Sequence, residues 1–171
     1  MRVRPAKEDY ASYFDKYVSL VPEGSIQAIL TEQLETNAAF LAAIPEERAL
    51  HRYAPGKWSL KEVVGHIADT ERVMSYRLLR IARGDKTPLP GFDENEFVKG
   101  AAFDSYTLAE LIEDWTNVRR ATLTLLRGLP EDAWSRRGYV SNGETTARAL
   151  AYITAGHELH HIGVIKERYL K

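Results

Sequence analysis

The stretch SLKEVVGHIADTERVMSYRLLRIARG, residues 59–84, decides the fold. Its apolar residues Leu60, Val63, Val64, Ile67, Met74, Leu78 and Ile81 recur at steps of three and four, which is one face of an α-helix. Ser59 and Glu62 fit a capping box, in which each side chain satisfies a free backbone amide, so the helix begins near Leu60. Gly84 stops it, and Arg77, Arg80 and Arg83 sit near the end where the helix dipole favours positive charge. About six turns of amphipathic helix with one apolar face require other helices to cover that face.

The flanking sequence supplies them. Downstream, Thr107-Leu108-Ala109-Glu110 is a second capping box, opening a helix that carries Leu108, Leu111, Ile112, Trp115, Val118, Thr122, Leu125 and Leu126 on one face and ends at Gly128 and Pro130. Upstream, Ile26, Ile29, Leu30, Leu34, Ala38, Leu41 and Ile44 point inward from a helix closed by Pro45. A loop around Ser141-Asn142-Gly143 precedes a final helix from about Thr145 to Tyr169. Tyr10, Tyr13, Phe14, Tyr17, Val18 and Val21 give a short aromatic-faced leading helix, ended by Pro22 and Gly24. The connection from Gly84 to Tyr106 is too long for a tight turn; it reads as a crossover or lid with a short helix around Asn95 to Phe103. No convincing period-two strand is found. The expected fold is all-α: a four-helix bundle with a short additional N-terminal helix and a long connection between the second and third bundle helices, as a single domain over 1–171.

Composition narrows the function classes. A chain of 171 residues with 44% hydrophobic content can bury one substantial core without staples. The net charge of -1 comes from acidic and basic residues mixed along the chain, which argues against a nucleic-acid footprint or a polybasic membrane patch. No window approaches a membrane span, and the leading MRVRPAKEDY has no apolar stretch after its basic residues, so the expected location is cytoplasmic. With no cysteine, a metal can be held only by nitrogen and oxygen donors, and any reactive thiol must come from a small molecule.

Three of the five histidines fall in Gly156-His157-Glu158-Leu159-His160-His161. His157 and His161 differ by about 40° around a helix and about 6 Å along it, so both rings can converge on one ion. They align with Leu150, Ile153 and Val164, a core-facing stripe in which four ring nitrogens need partners. A pair of satisfied core histidines would also fit that pattern. His66 tilts the reading toward metal, because it lies at the edge of the apolar stripe of another helix, and bundles build metal sites from inward residues on facing helices. His160 is about 60° from His157 and reads as supporting or structural.

The same segment matches the H-E-x-x-H pattern of zinc proteases. Those enzymes take a third ligand downstream, but ten residues follow His161 and the carboxylate among them, Glu167, points about 120° away. A third ligand must lie upstream, and the protease reading is rejected. Glu158 and Asp69 are the candidate bases, while Arg77 and Arg168 share the ligands' angular positions and are candidates for binding an anionic cofactor. Trp58, Trp115 and Trp134 read as core or loop anchors.

Three segments together resemble the DinB/YfiT-like superfamily of metal-binding four-helix bundles: Pro55-Gly56-Lys57-Trp58-Ser59, Gly65-His66-Ile67-Ala68-Asp69-Thr70-Glu71-Arg72, and Gly156-His157-Glu158-Leu159-His160-His161. The resemblance covers most of the chain, and includes the leading aromatic helix and the loop from Gly84 to Asn95. It implies a three-histidine site, His66, His157 and His161, with open coordination positions. It also implies a small-molecule substrate and pairing into a homodimer, the leading helix covering either the core or a partner subunit. Relatives of this kind include S-transferases that use low-molecular-weight thiols, a thiol-dependent maleylpyruvate isomerase, and iron-dependent sulfoxide synthases with an added domain that is not found in this sequence. Three imidazoles suit zinc, nickel or iron. Two chemistries are open at this point: transfer of a low-molecular-weight thiol to an electrophile, and hydrolysis by metal-bound hydroxide with Glu158 or Asp69 as base. A non-catalytic metal-binding or interaction module is the third reading, although structural zinc sites usually have four protein ligands and only three good ones are found here.

Overall fold

A computed structural model describes residues 4–141 and 143–171; Met1, Arg2 and Val3 of the leading stretch and Asn142 of the expected last loop lie outside the described residues. The four long helices are α2 (Ile26–Ala42), α3 (Leu60–Ala82), α5 (Leu108–Arg127) and α6 (Ala147–Val164), with short helices α1 (Asp15–Val18) and α4 (Glu94–Gly100). Both expected capping boxes form. Ser59 Oγ accepts from Glu62 N at 3.0 Å while Ser59 N donates to Glu62 Oε2 at 2.7 Å. The Thr107–Glu110 pair repeats the arrangement at 3.2 and 2.7 Å.

Around the bundle, α3 packs between α5 and α6, and α2 packs between the same two helices on the far side. Consecutive helices α2 and α3 therefore sit across the diagonal, as do α5 and α6. Neither link is a tight turn. Residues 43–59 cross beneath the bundle, and the segment between α5 and α6 holds a feature the sequence reading missed. It contains an antiparallel hairpin of β1 (Arg137–Val140) and β2 (Gly143–Thr146), with Arg137 opposite Thr146 and Val140 opposite Gly143. Leu89 of the long connection adds a bridge to its edge, donating to Tyr139 O and accepting from Ser141 N. The period-two signal is faint because one of the two inward positions of β1 is Gly138. A Cβ there would lie 2.6 Å from Ile81 Cγ1, so glycine is what lets the strand rest on α3.

The leading aromatic stretch is less regular than expected: single 3-10 turns at Lys7–Asp9 and Ser12–Phe14 precede the one turn of α1. It covers the core of its own chain, with Tyr10, Tyr17, Val18 and Val21 buried and Tyr13 exposed. Its approach to α6 depends on Gly156, where a Cβ would fall 2.1 Å from Tyr17 O.

A polar layer divides the core at mid-height. On one side lie Ile26, Ile29 and Leu30, the C-terminal half of α3 and the N-terminal half of α6. On the other lie Leu41, Leu60 to Ala68, Leu111, Trp115, Ile162 and Tyr169. Between them are buried Gln33, Asn37, Thr70, Glu71, Arg119, His157 and Glu158. Here the inward face of α2 differs from expectation, since Gln33 and Asn37 are buried while Leu34 and Ala38 are only half-buried. Each amide has an internal partner: Gln33 donates to Ala155 O at 3.1 Å and Asn37 to Glu158 Oε1 at 2.6 Å.

Candidate metal centre

His66 from α3 and His157 and His161 from α6 converge where the polar layer meets a cavity. His157 Nε2 lies 3.0 Å from His66 Nε2 and 3.1 Å from His161 Nε2. A neutral imidazole nitrogen either donates or accepts one hydrogen bond, so His157 Nε2 cannot make an ordinary hydrogen bond to both neighbours. Three lone pairs aimed at one cation remove that conflict. With metal–nitrogen bonds near 2.1 Å, adjacent ligand nitrogens stand about 3.0 Å apart in octahedral and about 3.4 Å apart in tetrahedral geometry. The two separations from His157 match the octahedral value, all three ligand nitrogens lie within 4.8 Å of one another, and the residues present fit a divalent ion.

Electrostatics favour the ligating form. Burial lowers His66 to about 4. Burial, then the proximity of His66, His160 and Lys16, lowers His161 to about 2. His157 is held well below its ordinary value by burial first and the neighbouring rings second. All three rings are neutral at pH 7 and offer lone pairs. His66 Nδ1 meets Thr70 Oγ1 at 3.5 Å, one turn on, so the hydroxyl orients the ring with Nε2 toward its partners.

The cluster opens on a cavity of about 430 Å³. Phe14, Lys16 and Tyr17 of the leading segment form its roof, and Trp58 stands beside the histidines. The Trp58 and His66 ring centroids are 4.7 Å apart, and Tyr17 lies edge-on to His157 at 5.3 Å. Further along are Met74 and Arg77 from α3, Phe92 and Glu94 from the long connection, and Ser141 from the hairpin. A larger cleft of about 520 Å³ lies between Arg52, Lys57 and α4, but no histidine lines it. Sequence reasoning placed Trp58 among anchors; its signals were its position directly before the α3 capping box and its place in the segment Pro55–Ser59.

Of the other expected site residues, Arg77 lines the cavity and three do not. Glu158 is about 100° from His157 on α6 and faces inward, where Asn37 and Arg119 donate to its two oxygens. Arg119 also binds Glu71 through two bonds at 2.8 and 2.9 Å, so Glu158 belongs to a buried ionic cluster and not to the cavity. Burial raises its carboxyl above the ordinary value, against the pull of Arg119. Asp69 turns toward α5 and pairs with Arg72, itself bound to Asp114. Arg168 is exposed and does not line the cavity: it lies beyond His161 beside Tyr169, whose hydroxyl donates to Trp58 O, whereas the cavity continues toward Arg77. The π turn over Ile165–Tyr169 also departs from the 100° step used to align it with His161.

Comparison with known proteins places these observations in a family. The family model described as DinB superfamily matches residues 29–165. A relative from Oceanobacillus iheyensis, named "Putative metal-dependent hydrolase", is 26% identical over 128 residues, covering 72% of each chain. Among solved structures, YfiT from Bacillus subtilis superposes with a TM-score of 0.68 at 18% identity, over 96% of this chain and 90% of that one. It is described as a probable metal-dependent hydrolase with an unusual four-helix bundle topology. The mycothiol-dependent maleylpyruvate isomerase superposes with a TM-score of 0.67 at 15% identity, over 80% of this chain and 58% of that one. The matched residues span all four bundle helices and all three clustered histidines, and the chain belongs to the DinB superfamily.

Proposed function

We propose that His66, His157 and His161 hold one divalent ion, zinc, nickel or iron, and that the protein transfers a low-molecular-weight thiol to an electrophilic small molecule. The observation that carries this reading is the convergence of three neutral Nε2 atoms at the wall of a cavity that neither Glu158 nor Asp69 reaches. An ion held by neutral ligands keeps its full charge and supplies stabilisation to the deprotonated form of a bound thiol or water. Thiol activation then needs no carboxylate base, since a thiol loses its proton to solvent far more readily than water does.

The chain's own residues do the rest. Tyr17 and Trp58 exclude water from the histidine rings, Thr70 fixes the orientation of His66, and Phe14, Met74 and Phe92 offer apolar surface to a substrate. In the reaction the thiol proton leaves to solvent, sulfur forms a bond to the electrophilic carbon, and the leaving group departs with the electron pair of the bond it breaks. Hydrolysis is the second reading, favoured by Glu94, a carboxylate that does line the cavity, and by the name of the Oceanobacillus relative.

Turnover of a model electrophile with coenzyme A, glutathione, bacillithiol and mycothiol, before and after removal and restoration of metal, tests the proposal. Metal-dependent consumption of one thiol with folding intact is expected. Ester or amide hydrolysis that proceeds without thiol and is lost in Glu94→Gln would select the second reading.

A further inference from the structure

Arg77 is a buried cation with no anionic partner among the described residues. It is 3% exposed and lines the same cavity as the histidines. Its Nη2 donates to Pro90 O at 2.6 Å and Ser141 Oγ at 3.0 Å, its Nη1 lies 3.8 Å from Met74 Sδ, and Phe92 flanks its face. Among the described residues it makes no salt bridge, although Glu94 lines the same cavity. The other buried guanidinium, Arg119, has two carboxylates. Burial alone draws Arg77 below its ordinary value, and nothing opposes that pull. Fixing a guanidinium in this way is costly unless something charged answers it. Among the described residues Nε and one Nη1 hydrogen have no acceptor; they lie on different edges of the guanidinium, and each can donate one charge-assisted bond to an oxygen of a carboxylate or phosphate.

The distance to the histidines follows from the helix. The guanidinium folds back to the level of Met74, eight residues from His66, which is about 12 Å along the axis. Lys16 adds positive charge at the histidine end, and its ammonium lies over the rings of Tyr13 and Tyr17.

We infer that the cavity binds an elongated small molecule whose reactive end lies at the three histidines and whose opposite end is an anion, a carboxylate or phosphate, held by Arg77. The inference rests on the proposed metal reading for the first end only. The anion belongs either to the thiol or to the molecule it attacks, and both share this chemistry.

Two probe pairs distinguish the sources. Mercaptooctanoate and mercaptooctanol present a thiol with and without a carboxylate about 10 Å away. Suberic acid monohydroxamate and its methyl ester do the same for a metal-chelating acyl analogue. Affinities are measured by calorimetry in the cobalt-loaded and metal-free protein, with cobalt absorption reporting thiolate ligation. The acid of at least one pair is expected to bind about tenfold more tightly than its neutral partner, and Arg77→Gln should reduce that ratio to near one. Preference in the thiol pair alone assigns the anion to the thiol; preference in the hydroxamate pair alone assigns it to the other substrate. Equal affinities of acid and neutral probes in both pairs overturn the inference, and so does a preference that survives in folded Arg77→Gln. That comparison within the unaltered protein needs no variant to fold. Failure of cobalt to bind counts against the metal reading, while the ratio in the metal-free protein still decides the anion site.

Discussion

At the scale of single residues, Arg119 and His157 show how the polar layer divides its work. Arg119 is fully buried and gathers Glu71, Glu158, the Leu30 carbonyl and Gln33, with Trp115 against its face. Arg119→Met leaves two buried carboxylates facing each other without a counterion. Such a loss costs about 3–5 kcal/mol, so chemical denaturation should show a large fall in stability. A change under about 1 kcal/mol would mean that the cluster is open to water or only partly charged. The histidines were legible because helical spacing alone brings His157 and His161 together. Arg119 also left a signal, a charge within the stripe of Trp115, Thr122 and Leu126, but its partners come from α3 and α6 and no local rule pairs them. Glu158 was misread for the same reason: adjacency to His157 in sequence places it about 100° away, in the layer's ionic half.

At the scale of elements, two glycines of α6 make opposite predictions. Gly156→Ala would drive a Cβ into Tyr17 O, so α1 must lift away from α6, taking the Tyr17 ring off His157. Overpacking of this kind costs about 1–3 kcal/mol. Nothing lies within 4 Å of a Cβ at Gly163, where alanine removes backbone freedom from the unfolded chain and should stabilise by about 0.5–1 kcal/mol. Paired denaturation curves check both, and equal effects of the two changes would refute the close approach of α1. The long helices were readable from their capping boxes and apolar faces. The hairpin was not, since Gly138 removes half of its inward pattern, and the terminal π turn was not, since hydrogen-bond register leaves no mark on periodicity.

At the scale of the whole molecule, a core divided by a polar layer ties stability to protonation. In the metal-free protein His66 is lowered to about 4 and His161 to about 2 in the folded state, against an ordinary value of 6.5. The unfolded chain therefore binds more protons below 6.5, and folding stability falls as pH drops from there toward 4. The slope for each such proton is about half of 1.4 kcal/mol per pH unit at pH 6.5, approaches the full value about one unit below, and fades about one unit above. Thermal melts of metal-free protein should be level from about pH 8.5 to 7.5, begin to fall near pH 7 and fall steeply below about 6.5. Melting temperatures unchanged down to pH 5 would show that the rings are not buried neutral. The bundle itself was predictable from four amphipathic helices, whereas the diagonal placement of consecutive helices depends on long connections whose paths no periodicity specifies.

The central claim is that these three rings form one metal centre. Elemental analysis of protein loaded in turn with zinc, nickel and iron, then freed of excess ion, tests it most directly. One tightly held ion per chain is expected, lost in His157→Ala, whose ring touches both partners, and retained in His160→Ala, whose ring packs on Tyr17 outside the cluster. Protein that holds none of the three ions, or that holds one undiminished in His157→Ala, would contradict the account.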